Sequence, residues 1–299
     1  MTEHESGKLV ARQIAQDLEA ETVLSALGAA GIDALLVKGA VTRRYLYGRD
    51  LRPSSDVDVL VAPRSFDRAL AVLVESGYTP LAAPPGAISS GRHATELAGQ
   101  RSIVDLHRAI VGFRASAEVV WDAFWASARW ETLRTAQVPM PSPSVLAVHL
   151  TVHAAWSRGG DLARTREDLR RAARALSDDE WAEAVGLAKQ LDGLAGLVSS
   201  LRESPEGREI LRRQDVAVRL PFWSEVLIQL PPTVGHRLVL ARQMPRVMDR
   251  ARYLLAEAGL AVGQVPPEGR GSRLRYAMSR LPGSAASTAR RVARAARRP

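Results

Sequence analysis

The sequence predicts an α+β protein, with a small sheet flanked by helices in its first half and only helices in its second. Two observations carry this. Short apolar runs at 34–37, 56–61 and 102–106, the second rich in β-branched residues, alternate with helical periodicity up to about residue 138. Beyond Pro139 the strand signals stop and apolar residues recur at helical spacing to about Leu260, so an α/β half precedes an all-α half.

Residues 9–29 read as a helix carrying Leu9, Ile14, Leu18, Val23, Leu24 and Leu27 on one side, ended by Gly28 and Gly31. Ala34-Leu35-Leu36-Val37 reads as a buried strand leading to Lys38-Gly39-Ala40, and Val41–Tyr47 as a helix stopped by Gly48. A polar loop, Arg49 to Ser55, delivers the strand Asp56–Val61. Pro63–Ser76 is an amphipathic helix with Phe66, Leu70, Leu73 and Val74 on one face. Strands are expected at Tyr78–Ala83, His93–Leu97 and Ser102–Leu106, with a Pro/Gly/Ser-rich loop over 82–90. Ser142 as N-cap with Pro143 at the first helical position opens the second half. Helices are expected at 144–157, 162–176, 178–190, 194–203, 221–230 and 236–259. The expected divisions are an N-terminal extension (1–20), an α/β domain (21–138), a helical domain (139–265) and an Arg-rich disordered tail (266–299).

The composition narrows the chemistry. A hydrophobic content of 46% suits a core-forming protein. Without cysteine there is no disulfide, thiolate ligand or thiol nucleophile. The polar start Met1–Ser6 does not read as a secretory signal, and no apolar run is long enough for a membrane span, so a soluble cytoplasmic protein is expected. The net charge of +9 is local. Residues 270–299 hold nine arginines and no acid, so residues 1–269 sum to zero. The tail could bind nucleic acid or an anionic membrane surface, but a solvated end is the favoured reading.

The chemistry concentrates in Ser55-Asp56-Val57-Asp58-Val59-Leu60-Val61. On a strand, i and i+2 share a face, so both carboxylates project together. Two such charges repel, and one resists ionisation unless a cation lies between them. A hard divalent ion with oxygen ligands, Mg²⁺ above all, answers that need. The alternative is a capping Asp beside a solvated one. Asp105 is a third strand acid, and if its strand neighbours the first, the three carboxylates converge on a metal site suited to phosphoryl-type displacement. Gly39 at a strand-to-helix junction allows close approach of a phosphate.

The order of apolar strand, Gly, helix, Asp-x-Asp strand, helix and later strand Asp resembles the polymerase-β-like nucleotidyltransferase superfamily. More closely it resembles the bacterial uncharacterised nucleotidyltransferases. The likeness rests on Leu36–Ala40, Leu51–Pro53 with Asp56–Val61, Val104–His107 and Leu146–Ala154. It implies a core with a small mixed sheet, followed by helices. It further implies that Asp56, Asp58 and Asp105 are catalytic and bind Mg²⁺ (two ions), and that Lys38, Gly39, Ala40 and Ser55 bind an NTP. The implied reaction transfers a nucleoside monophosphate to an acceptor hydroxyl or phosphate, on a small molecule or modified peptide, with release of pyrophosphate. Ala40 stands where the superfamily carries Ser or Gly, so a hydroxyl contact to phosphate is missing. A non-catalytic nucleotide-binding module is the alternative. Arg43, His107, His149 and His153 are candidate pocket residues. For Arg43 a solvated helix face is the simpler reading, and for the histidines packing or structural hydrogen bonds. Trp156 and Trp181 read as core. Asp168 matches an acidic position in the helical half of the family it resembles and could touch the active site; a helix-surface salt bridge with Arg164, Arg171 or a neighbour is the simpler reading.

Overall fold

The computed structural model describes residues 3–48, 50–81, 93–156 and 162–221, with Ser224 and Ile228. The loop expected at 82–90, nearly all of the helix expected at 221–230, the helix expected at 236–259 and the Arg-rich tail lie outside the described residues.

Five strands form a mixed sheet in the order β1-β2-β5-β4-β3. They are β1 (Ala34–Val37), β2 (Asp56–Val61), β3 (Thr79–Pro80), β4 (Ala94–Ala98) and β5 (Ile103–His107). Only the β2–β5 pair is parallel, and the other pairs are antiparallel. β1 and β2 occupy the residues expected of them. Of the four described residues expected in β3 it keeps two, Pro80 among them, which suits an edge strand that needs few ladder donors.

Helices α1 (Glu3–Ala29) and α3 (Phe66–Glu75) pack together, and α1 also packs on β1 and β2. The buried face of α3 is Phe66, Ala69 and Leu73, while Val74 is 44% exposed. The buried stripe thus runs through Ala69 and leaves out Val74 of the expected face. On α1, Val23 and Leu27 are core as expected. Toward its N-terminus the helix instead buries the polar Gln13, Gln16, Asp17 and Glu19. Burial of that kind requires partners, and it turns this end of α1 toward the loop before β2.

The segment after β1 starts as an α-helical turn, α2 (Gly39–Thr42), and continues as a π-helical stretch over Arg43–Tyr47. Before α5, three elements escaped the sequence reading: α4 (Ala117–Ala126) and the hairpin β6 (Arg129–Thr132) with β7 (Gln137–Met140). The run Val119-Val120-Trp121 with Phe124-Trp125 has too little polar contrast to show a helical period. Ser116 nevertheless caps α4 through the Val119 N–H.

The remaining described helices are α5 (Pro143–Trp156), α6 (Leu162–Ala175), α7 (Asp178–Gln190), α8 (Leu194–Leu201) and the unexpected α9 (Pro205–Arg213). α5 is apolar nearly all round, which fits a central position, and α6, α7 and α8 pack against it. It begins as expected, with the Val145 N–H donating to Ser142 Oγ at 3.3 Å. Ser177 and Glu180 form a reciprocal capping box at the start of α7. Trp181 is fully buried and Trp156 nearly so, as expected of core residues. Among the described residues no helix is long and apolar enough to cross a membrane.

Candidate active site

The parallel β2–β5 pairing sets Asp58 directly opposite Asp105. Asp105 thus sits on an inner strand of the sheet, not at an edge. On the other side of β2, Val37 of β1 pairs with Asp58, so the next residue, Lys38, leaves the sheet beside that carboxylate. Lys38 Nζ donates to Asp58 Oδ1 at 3.0 Å. His107 lies two residues beyond Asp105 and therefore on the same face. Its Nε2 lies 3.0 Å from Asp58 Oδ1 and 3.2 Å from Asp105 Oδ2. Two acids, one lysine and one histidine thus share a small buried volume.

Electrostatics separates the two acids of the Asp-x-Asp run. Burial opposes the charge of Asp58, but Lys38 and His107 outweigh it and hold its carboxyl far below the usual range. Burial and the Asp58 charge push Asp56 up. The acid that resists ionisation is therefore Asp56, which is half-buried and takes a hydrogen bond from Ser55. Burial works against the His107 imidazolium, yet the two carboxylates raise its pKa to about 9. Lys38 is kept charged in the same way, chiefly by Asp58 against its burial. The cluster is thus close to neutral, with protein cations balancing its carboxylates.

The backbone at the junction is unusual. Lys38 has φ 54° and ψ −143°, a combination that is costly for a residue with a Cβ. Gly39 follows at φ 26°, where a Cβ would lie 3.4 Å from Ser54 Oγ. Gly39, Ala40, Ser54, Asp56 and Asp58 line one cleft with Gln16, Asp17 and Arg43 of neighbouring segments. Arg43 does not lie on a solvated face: its side chain is 15% exposed and pairs with Asp17. Arg44 is the exposed arginine here, paired with Glu131 at 2.9 Å.

His149 and His153 stack edge to face on α5 with ring centroids 6.2 Å apart, and His149 packs similarly on Phe124. His149 is buried, and its Nδ1 has no hydrogen-bond partner among the described residues. Burial, with Lys38 and His153 nearby, keeps it neutral. These are packed histidines, with His149 close enough to feel the charges of the cluster.

Asp168 corrects the sequence reading. It is buried at 3% exposure and accepts two hydrogen bonds from Arg52, at 2.9 and 2.6 Å. The Tyr47 hydroxyl donates to the same carboxylate at 2.7 Å. Arg171 pairs instead with Glu167 and Asp50, and Arg164 donates to the Pro53 carbonyl. The partner is not a neighbour on the same helix but lies 116 residues away.

The residues present fit a divalent cation. Asp58 and Asp105 each offer a carboxylate oxygen, and His107 its Nε2 once that nitrogen gives up its proton, all within 4.8 Å of one another. Asp105 Oδ1 is buried without a hydrogen-bond partner among the described residues, an oxygen that a hard cation would satisfy. Asp56 shares the face but is not part of that close trio.

A small mixed sheet with paired acids behind a strand–Gly–helix junction is a nucleotidyltransferase-like fold. The chain belongs to a nucleotidyltransferase family: residues 3–202 match the family described as "Uncharacterised nucleotidyltransferase". Solved structures resemble it at low identity. The antibiotic-resistance factor ANT(2'')-Ia is 13% identical, with 61% of this chain and 96% of that one covered and a TM-score of 0.44. The lincosamide antibiotic adenylyltransferase LnuA, lincomycin-bound, is 16% identical, covering 53% and 96% at a TM-score of 0.37. An antigenic nucleotidyltransferase-like protein from Paracoccidioides brasiliensis is 14% identical, covering 69% and 94% at a TM-score of 0.43. At these values the antibiotics named belong to those proteins alone. No curated protein matches the sequence.

Proposed function

We propose that this protein is a Mg²⁺-dependent nucleotidyltransferase that moves a nucleoside monophosphate from an NTP to an acceptor hydroxyl or phosphate and releases pyrophosphate. The observation that carries the reading is the register pairing of Asp58 with Asp105, with Lys38 and His107 balancing their charge. Asp58 and Asp105 would hold Mg²⁺, with Asp56 beside them on the same face. The ion supplies charge neutralisation on the triphosphate and on the departing pyrophosphate.

The chain's own residues do the rest. The acceptor oxygen forms a bond to the α-phosphorus, and the bond from that phosphorus to the bridging oxygen of the leaving pyrophosphate breaks. Asp105, through whichever of its oxygens the ion leaves free, would accept the acceptor's proton. Gly39, Ala40 and Ser55 would flank the triphosphate. Ser54, whose hydroxyl lies beside Gly39 and donates to the Asp56 carbonyl at 3.2 Å, would turn that proton to a phosphate to make the contact that Ala40 cannot. Lys38 would transfer its positive charge from Asp58 to a phosphate oxygen. A small molecule or modified peptide is the proposed acceptor class. No role in the reaction is proposed for His149, His153 or the Arg-rich tail.

The test is binding and transfer with α-labelled NTPs and Mg²⁺ against pools of hydroxyl-bearing acceptors. Asp58→Asn and Asp105→Asn should each lower transfer by about 10²–10³-fold, several kcal/mol of lost charge stabilisation. Circular dichroism should show both variants folded. A wild-type protein that binds none of the four NTPs in the presence of Mg²⁺ would overturn the proposal.

A further inference from the structure

The loop that delivers Asp56 is held from two sides. From α1, the Gln13 amide donates to the Arg52 carbonyl at 2.8 Å, and Arg12 reaches the Ser55 carbonyl at 3.4 Å. From α6, Arg164 donates to the Pro53 carbonyl at 3.1 Å, and Arg171 to the Asp50 carboxylate at 2.8 Å. Between these lies the two-point bond of Arg52 to Asp168. Its side chains are 8% and 4% exposed, and Tyr47 closes the third side. The Arg171 guanidinium covers the Tyr47 ring at 4.1 Å. Loops usually run over the surface with their polar groups in water; this one spends its carbonyls on fixed partners.

A buried ion pair is a poor source of stability, since desolvating both charges offsets most of their attraction. Its two-point geometry does fix a direction. We infer that Arg52 and Asp168 are positioning residues: helix α6, through this pair, holds the segment Pro53–Ser55 and so sets where Asp56 faces the cleft. The inference rests on the proposed reading of Asp56 and Asp58 as ion-facing acids.

The experiment compares the wild-type full-length chain with Arg52→Lys and with the double variant Arg52→Met/Asp168→Leu. The first keeps the charge but not the fork. The second replaces the pair by apolar groups of similar size, a change that buried pairs often tolerate. Two quantities are read below the melting transition: amide exchange in peptides covering 51–58, and the Kd for Mn²⁺ alone. Both variants should exchange at least tenfold faster in that segment while peptides from α7 and β4 stay unchanged. Their Mn²⁺ Kd should weaken at least tenfold in the double variant, with a smaller loss for Arg52→Lys. Unchanged exchange over 51–58 in either folded variant overturns the inference. So does faster exchange with wild-type Mn²⁺ affinity, which would make the pair merely structural. If the wild type itself binds no Mn²⁺, the metal reading fails, and the exchange comparison still decides whether the pair holds the segment. If the double variant does not fold, Arg52→Lys decides both.

Discussion

Replacing Lys38 by methionine should pull metal and nucleotide affinities in opposite directions. Lys38 Nζ sits 3.0 Å from Asp58 Oδ1, with the lysine side chain 20% exposed and the aspartate 6%. An incoming divalent ion must compete with that ammonium for the same oxygen. A hydrogen bond to a charged group is worth about 1.5–3 kcal/mol net. Removing the competitor should therefore tighten Mn²⁺ binding by about 10- to 150-fold, at 1.4 kcal/mol per decade. The triphosphate loses a cation in the same variant, so NTP binding at saturating Mg²⁺ should weaken by about tenfold. Calorimetric titration of Mn²⁺ alone, then of NTP with metal present, separates the two. Lys38→Gly is the control for the backbone. It deletes the same cation but relieves a φ of 54°, worth about 1–3 kcal/mol against a glycine entropy cost of about 0.5–1. It should melt above Lys38→Met with a similar Mn²⁺ affinity. Mn²⁺ binding that is unchanged or weaker in Lys38→Met would refute the idea that this lysine holds the cation's place.

Two further predictions concern stability. Glu21 accepts N–H groups of Arg134, Thr135 and Ala136 at the turn of the β6–β7 hairpin, at 2.8–3.0 Å. Partial burial opposes its charge, but those donors win and hold its carboxyl below the ordinary value of 4.5. A depressed carboxyl contributes stability above its unfolded pKa and loses it as pH falls through the folded one. Glu21→Gln should accordingly cost up to about 1 kcal/mol at pH 7, and chemical denaturation should show the gap to wild type closing below about pH 4.5. Trp181 is fully buried, so Trp181→Ala should destabilise by about 3–5 kcal/mol. A loss under about 1 kcal/mol in urea unfolding would mean that the α5–α7 packing is wrong. The transfer losses expected for Asp58→Asn and Asp105→Asn complete the set.

Much of the fold was legible because local rules govern it. The β-branched alternation of Asp56–Val61 and the Ser142-Pro143 entry are short-range signals, and both elements stand where those signals put them. α4 and the hairpin were missed because their patterns do not show a clear period. The fate of the charged residues was least legible. Arg43 and Asp168 read most simply as surface groups, and nothing in the sequence marks the polar residues of α1 for burial, because sequence shows charge but not the partner that would let a charge be buried.

From its own residues the chain determined that two acids share one strand face, that a third follows on a later strand, and that a Lys-Gly turn precedes both. Those are consequences of a period of two and of one glycine's freedom at positive φ. Only the tertiary structure decided that β2 and β5 run parallel in a register joining Asp58 to Asp105, that Lys38 and His107 balance them, and that Arg52 meets Asp168 across 116 residues. Strand register and long-range ion pairing depend on how separate segments pack, and no local pattern of residues encodes that.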